Sequence, residues 1–410
     1  MPIIVQKYGG SSVADVEKIG LVADKVAAAR EAGNDVVVVV SAMGKTTDGL
    51  LALAEQATVR TAGQAPARTA PRRELDMLVS TGERVTMALL SIAIHARGHE
   101  AISFTGSQSG ILTNDRHFDA RIIEVRPHRI EDELARGKIV IVAGYQGMSY
   151  RREITTLGRG GSDTTAVALA AALGAERCEI YSDVDGVYSA DPRVVPDATH
   201  LPVLDLACLQ EMAEAGAKVL NAQAVEWARR AKIALHARKT SDPISGPGAA
   251  RPRETVATEH EPGSAGTRNH VRAVVGMDRL VSVVGGASSL PAIARRAAEL
   301  ELPLSDVTLA GGRLHITVPL LNVPDWDRRR VRFLDGAGDL ELTSGLALVS
   351  VVGDGLTTSG DGLSAFVDAL GEIPIVRLTG GPLRISALIA AADLPRAQQG
   401  LHRAFVTPDR

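Results

Sequence analysis

Ile3-Ile4-Val5-Gln6-Lys7-Tyr8-Gly9-Gly10-Ser11-Ser12 decides the fold class: a β-branched run stops at paired glycines and serines, and the Ala-rich helical stretch Val16–Ala32 follows. The unit recurs. Strand-like runs Asp35–Val40, Ala101–Thr105, Lys138–Ala143, Cys178–Ser182 and Ala234–Arg238 alternate with helical stretches Glu74–Arg97, Thr164–Leu173 and Leu206–Ala231. Strands separated by helices need crossover connections, so the pattern predicts a three-layer α/β/α arrangement with a mostly parallel central sheet.

Composition narrows the class further. The chain has 410 residues, 45% of them apolar, which is enough for two or three domains with real cores. Aromatic residues make up only 3% while Gly numbers 40, so those cores are built from Val, Ala, Leu and Ile. A net charge of −3 gives no global attraction to nucleic acid or to an anionic membrane. Cys178 and Cys208 lack the spacing of a disulfide framework or a zinc site. His95 and His99 are four apart but have no third ligand, so no metal-ligating set is read from the sequence. No basic segment with an apolar core opens the chain and no run of 18 apolar residues occurs, which predicts a soluble, cytoplasmic protein. Only 8 of the 45 cationic residues are Lys, and none lies beyond Lys239.

Two stretches interrupt the periodic pattern. Thr58–Arg73, rich in Ala, Thr, Pro and Arg, reads as a surface insertion. Ser241–Arg268 is dense in Pro and Gly and reads as a domain boundary. The expected division is a first domain over 1–245, a linker over 246–268, and two small modules over 269–342 and 343–410. Those modules repeat one order. The first has strand Arg272–Val284, helix Leu290–Leu300, strands Ser305–Leu309 and Leu314–Val318, and helix Trp326–Phe333. The second has strand Leu346–Val352, helix Leu363–Leu370, strands Ile375–Leu378 and Leu383–Ala390, and helix Leu394–Phe405.

Three loops carry chemistry. Lys7–Ser12 places two glycines and an ammonium where a strand gives way to a helix, a geometry suited to a phosphate, although a Gly-Gly pair alone is more often simply a turn. Thr155–Thr165 has three glycines, Arg159, Ser162 and Asp163 at a helix start; a plain capped helix explains Ser162 and Asp163 but not Arg159 and the glycines. Tyr181–Arg193 follows a strand end, where open α/β sheets bind ligands; on its own it equally fits a solvated Asp-Gly turn.

Taken with Val40–Gly44, Thr46–Asp48, Ser80-Thr81-Gly82-Glu83-Arg84 and Gly216-Ala217-Lys218-Val219-Leu220, these loops occur in the order and approximate spacing of the aspartate kinases. Residues 1–240 resemble the monofunctional bacterial aspartokinases, and the C-terminal third resembles, more loosely, their paired ACT modules. The resemblance implies an amino-acid kinase fold followed by two α+β ferredoxin-like ACT modules. It implies transfer of the γ-phosphoryl group of ATP, with Mg2+, to the β-carboxylate of L-aspartate, giving 4-phospho-L-aspartate at the head of lysine, threonine and methionine biosynthesis. A carboxylate with a pKa of about 3.9 is already ionised at neutral pH, so this chemistry needs charge neutralisation and positioning rather than a general base.

By the same resemblance Lys7, Tyr8, Gly9 and Gly10 face the nucleotide phosphates, and Lys218 is the second phosphate-side ammonium. Ser41 and Thr47 contact aspartate, Glu83 its ammonium, and Arg159 a carboxylate with Gly160, Gly161 and Ser162. Asp163 orients Lys7 and Lys218, while Ser182, Asp183, Tyr188 and Arg193 form the nucleotide loop. Lysine or threonine is implied as an effector, and a homodimer or higher homo-oligomer through the ACT modules as the assembly.

The chain departs from the family around Tyr150–Ile154, which reads one residue short, and in the modules. Gly285–Ser289 and Leu378–Pro382 place small residues where family members carry effector contacts, so altered feedback is expected. Two other readings compete. A glutamate or N-acetylglutamate kinase shares the fold but accounts for neither Ser80–Arg84 nor the C-terminal repeat. A non-catalytic amino-acid sensor is opposed by the complete set Lys7, Arg159, Asp163 and Lys218.

Overall fold

The computed structural model describes residues 1–58, 70–217, 220–244, 252–259, 271–300, 302–321, 323, 326–335 and 340–406. These fall into two compact units, one drawn from 1–187, 200–210 and 218–264, the other from 188–199, 211–217 and 265–410.

In the first unit the β-branched runs form an eight-stranded sheet in the order Val203–Asp205, Glu254–Thr258, Ala234–Lys239, Arg177–Ser182, Ile3–Tyr8, Asp35–Val40, Ile139–Ala143, Ala101–Phe104. The six strands from Ala234–Lys239 to Ala101–Phe104 are all parallel, as the alternating pattern requires. Val36–Val40 is buried throughout because helices cover both faces of the sheet. On one face Val16–Glu31 and Thr81–His95 pack over Ile4, Tyr8, Val36, Val38, Val40, Ile139 and Ile141. On the other lies Gly161–Ala172, whose first ten residues are all buried between the sheet and the helix Ala222–Ala231. A helix enclosed all round must have small side chains, which is why it reads Ala-Val-Ala-Leu-Ala-Ala. The run Arg72–His95 is long and apolar enough by composition to pass for a membrane span, but 44% of its most apolar 18 residues are buried and it carries the buried Asp76 and Glu83, as a core helix does.

Three elements differ from the sequence expectation. The stretch Leu206–Ala231 is two helices, Leu206–Glu214 and Ala222–Ala231, because Gly216 at φ +110° turns the chain between them. Residues 246–268, expected as a linker, contain the strand Glu254–Thr258, antiparallel to Ala234–Lys239 in the central sheet. A separate four-stranded sheet, Ile122–Val125, Ile111–Thr113, Gln146–Ser149, Ile154–Thr156, was not foreseen. The middle of the insertion at 58–73 lies outside the described residues.

The second unit is one six-stranded antiparallel sheet, in the order Ser305–Ala310, Arg313–Pro319, Val271–Gly286, Glu341–Gly353, Arg384–Ala390, Arg377–Gly380. Its two central strands are 16 and 13 residues long, and the pairing explains their length. Leu280–Gly286 pairs with Arg313–Pro319 inside the first module, whereas Val271–Met277 pairs with Leu348–Gly353 of the second. Glu341–Thr343 returns the exchange beside Ser282–Val284. Each module thus borrows its fourth strand from the other and reaches the strand order 4-1-3-2 of a ferredoxin-like fold. Helices Leu290–Glu299 and Trp326–Leu334 close one core, and Gly360–Leu370 and Leu394–Phe405 the other.

Candidate active site

Parallel strands end together, and here the register aligns Tyr8 with Val40 and Tyr181, and Val40 with Ala143. The residues that follow, Gly9 and Gly10, Ser41, Gly144 and Tyr145, and Ser182 and Asp183, therefore share one edge of the first unit, the edge where open α/β sheets bind ligands. Backbone bonds lock these loops to one another. The Gly9 N–H donates to the Tyr181 carbonyl at 3.2 Å, the Ser41 N–H to the Tyr8 carbonyl at 3.1 Å, and the Gly44 N–H to the Gly10 carbonyl at 3.0 Å.

Across this edge stands the start of the helix Gly161–Ala172. Gly160 caps it at φ +74°, and a Cβ there would lie 2.4 Å from Asn221 Nδ2, so glycine is required on both counts. Asn221 has two tasks. Its Nδ2 donates to the Arg159 carbonyl at 2.9 Å, and its Oδ1 caps the helix Ala222–Ala231. The Arg159 guanidinium is left exposed on a fixed backbone. Asp163 falls in the first turn rather than at the cap, and its Oδ1 lies 2.5 Å from Lys7 Nζ, with each side chain only 11% exposed. Lys7 points to this face of the sheet because alternate side chains of a strand do so, and that alternation sends Tyr8 to the other face.

Glu83 sits in the first turn of Thr81–His95, 3% exposed. The Ala42 N–H donates to its Oε1 at 3.1 Å, while Oε2 has no hydrogen-bond partner among the described residues. Burial raises its carboxyl to about 7, against the opposing pull of the backbone N–H groups of Glu83 itself and Ala42. A buried carboxylate oxygen without a donor is prepared to accept one from a cationic ligand. Sequence reasoning missed Tyr145. It holds φ +67°, its N–H donates to Thr165 Oγ1 at 3.2 Å, and its carbonyl accepts from Leu157 N at 2.9 Å. Its hydroxyl is pushed up to about 12 by burial, with Thr156 in hydrogen-bonding reach and the charges of Glu83, Asp76 and Arg159 all acting on it. Its positive φ leaves no trace in the sequence, where Gly144-Tyr145-Gln146 looks like an ordinary turn.

The other expected residues divide. Ser162 lies against Gly144, where a Cβ would be 2.7 Å from its hydroxyl, and Thr47 is half-buried in the first turn of Thr46–Ala57. Asp183 is exposed, and the Ser182 hydroxyl accepts from the Val184 N–H at 3.2 Å. Tyr188 and Arg193 belong to the second compact unit, where Arg193 makes a bidentate pair with Asp191 at 2.9 and 2.7 Å. Tyr8 requires a correction: it is a core residue with no exposed surface, stacked on Tyr181 at 4.7 Å, and only its backbone reaches the site edge. Lys218 lies outside the described residues.

A buried ammonium paired to a carboxylate, the amino end of a helix with glycines around it, a free carboxylate oxygen and an exposed guanidinium can together hold a phosphoryl group beside a zwitterion. Known proteins resemble the chain along nearly its whole length. Residues 2–238 match the amino acid kinase family. The aspartokinase of Mycolicibacterium smegmatis is 41% identical over 99% of this chain and 96% of its own length. That of Corynebacterium glutamicum is likewise 41% identical, over 99% and 96%. Among solved structures, Escherichia coli aspartokinase III in complex with aspartate and ADP is similar with a TM-score of 0.83 at 25% identity, over 98% of this chain and 99% of that one. With the family match and the full-length likeness in agreement, the chain belongs to the aspartokinases, within the amino acid kinase family.

Proposed function

We propose that the enzyme transfers the γ-phosphoryl group of Mg·ATP to the β-carboxylate of L-aspartate. The observation that carries this reading is the Lys7–Asp163 pair at 2.5 Å on the sheet edge to which Glu83, through Ala42, is also tied. Lys7 neutralises charge on the transferring group, Gly9 and Gly10 offer N–H groups to it, and Asp163 holds the ammonium in place. Lys218 adds a second ammonium. Glu83 accepts the substrate ammonium through Oε2, Arg159 grips the α-carboxylate, and Ser41, Thr47, Gly160, Gly161 and Ser162 complete the pocket. Ser182 and Asp183 line the nucleotide. Mg2+, when bound, neutralises the β- and γ-phosphates.

Trapping with hydroxylamine tests the reaction: aspartate and ATP are expected to give aspartyl hydroxamate, and its absence would refute the function. Repeating the assay with millimolar lysine plus threonine tests regulation. Little inhibition is expected, because Thr379–Pro382 offers small residues and the neighbouring Arg384 is already paired to Asp306 at 3.1 Å. Strong inhibition would overturn that part alone. The assembly we infer is a homodimer through the C-terminal unit. Its edge strand Ser305–Ala310 exposes Val307 and Leu309, at 50% and 52%, beside unpaired backbone. Light scattering is expected to give at least twice the monomer mass; a monomer refutes it.

A further inference from the structure

We infer that Asp76 is a positioning residue that sets the spacing between the two aspartate anchors, Glu83 and Arg159; the inference rests on the reading of those two residues given above. Asp76 lies in the helix Arg72–Val79 with no exposed surface. A carboxylate so buried is tolerable only when hydrogen-bonded, and this one is bonded from three directions. Thr156 Oγ1 donates to Oδ1 at 2.5 Å, the Phe118 N–H to the same oxygen at 3.0 Å, and His117 Nδ1 lies 2.6 Å from Oδ2.

Two of these bonds hold the segments that lead to Arg159, while the helix of Asp76 leads to Glu83. Thr156 ends the strand that leads through Leu157 and Gly158 to Arg159. It is also the residue within reach of the Tyr145 hydroxyl. Phe118, held at φ +71°, is followed by Asp119, whose Oδ1 would be 3.1 Å from a Cβ on Gly158, so this loop supports the turn before Arg159. The helix of Asp76 itself runs through Ser80 into the helix of Glu83. The Asp76 carbonyl accepts from the Ser80 N–H at 3.1 Å, and the Ser80 carbonyl accepts from Gln146 Nε2, next to Tyr145, at 2.9 Å. One carboxylate therefore ties the ammonium wall to the carboxylate wall without standing in either.

Asparagine keeps an acceptor oxygen for Thr156 and Phe118 but removes the charge and turns an NH2 group toward His117 Nδ1, which changes the bond on that side. The test uses the full chain carrying Asp76→Asn, Thr156→Val or Thr156→Ser, with KM measured for each substrate. Asp76→Asn and Thr156→Val are expected to raise KM for aspartate about tenfold or more and leave KM for ATP within about twofold, since a small misplacement of positioning groups costs this much. Thr156→Ser keeps the hydroxyl and is expected to stay near the wild type. If Asp76→Asn does not fold, the Thr156 pair decides. An unchanged KM for aspartate, equal movement of both KM values, or equal damage from Thr156→Ser and Thr156→Val would overturn the inference. Arg159→Ala and Glu83→Gln serve as controls. If they leave KM for aspartate unchanged, the reading of the anchors fails and takes this inference with it; if they raise it while Asp76→Asn does not, this inference fails alone.

Discussion

Lys7→Met, which keeps the length of the side chain and removes its charge, is expected to lower kcat about a thousandfold, the scale of losing one preorganised charge from a phosphoryl or oxyanion site. Two effects are combined in that variant, and they can be separated. Lys7 and Asp163 form a pair with 11% of each side chain exposed, so removing the ammonium leaves the carboxylate buried and uncompensated. Breaking a buried pair on one side costs about 3–5 kcal/mol, and Lys7→Met should melt well below the wild type for that reason alone. The double variant Lys7→Met/Asp163→Asn carries no orphaned charge. It is expected to recover most of the melting temperature and none of the kcat. Steady-state kinetics with thermal melts on the three proteins checks both halves. A kcat within tenfold of the wild type in Lys7→Met would remove Lys7 from the proposed chemistry, and recovery of activity in the double variant would make its role structural.

The residues of that pair were legible in the sequence because both stand in local patterns. Lys7 ends a β-branched run before two glycines, and Asp163 opens an Ala-rich helix after three. A strand end and a helix start are local events, governed by periodicity and by breaker residues within a few positions. The six parallel strands were legible on the same grounds, and so was the repeat in the C-terminal third. The exchange of strands between the two modules was not, since nothing in Val271–Gly286 says that its halves have different partners until the register with Glu341–Gly353 is known.

What stayed hidden was either short or non-local. Ile111–Thr113 and Ile154–Thr156 are three residues each, too short to show a period of two. Glu254–Thr258 does alternate, yet it lies inside the Pro- and Gly-rich stretch that marked a boundary. Asp76 looks like the polar side of an amphipathic helix, and its partners are 41, 42 and 80 residues away. Tyr8 failed in the opposite direction: the family resemblance placed it with Lys7 at the phosphates, but neighbours in a strand face opposite sides, and stacking on Tyr181 claims the ring for the core.

Glu83→Gln is expected to raise KM for aspartate about a hundredfold, since truncating one partner of a buried charge pair costs about 2–5 kcal/mol. The pH dependence makes the assignment specific. With a carboxyl at about 7, the unliganded enzyme is half protonated there, and a protonated Glu83 cannot hold an ammonium. kcat/KM for aspartate should therefore fall about tenfold per pH unit below that point in the wild type, and Glu83→Gln should lack this limb. Stability moves in the opposite sense. Burial raises the carboxyl from 4.5 to about 7, so the folded state holds the proton more tightly than the unfolded chain. The penalty for ionising it is absent below 4.5, grows as pH rises toward 7, and reaches about 3 kcal/mol above 7. Without substrate, Glu83→Gln should accordingly melt above the wild type at pH 8, and the gap should close at pH 5. Bound aspartate should reverse the order at pH 8, because it stabilises only the protein that keeps the carboxylate. A glutamine variant that melts lower at pH 8 without substrate, or that keeps the acid limb in kcat/KM, would show that the buried oxygen has some other partner than the substrate ammonium.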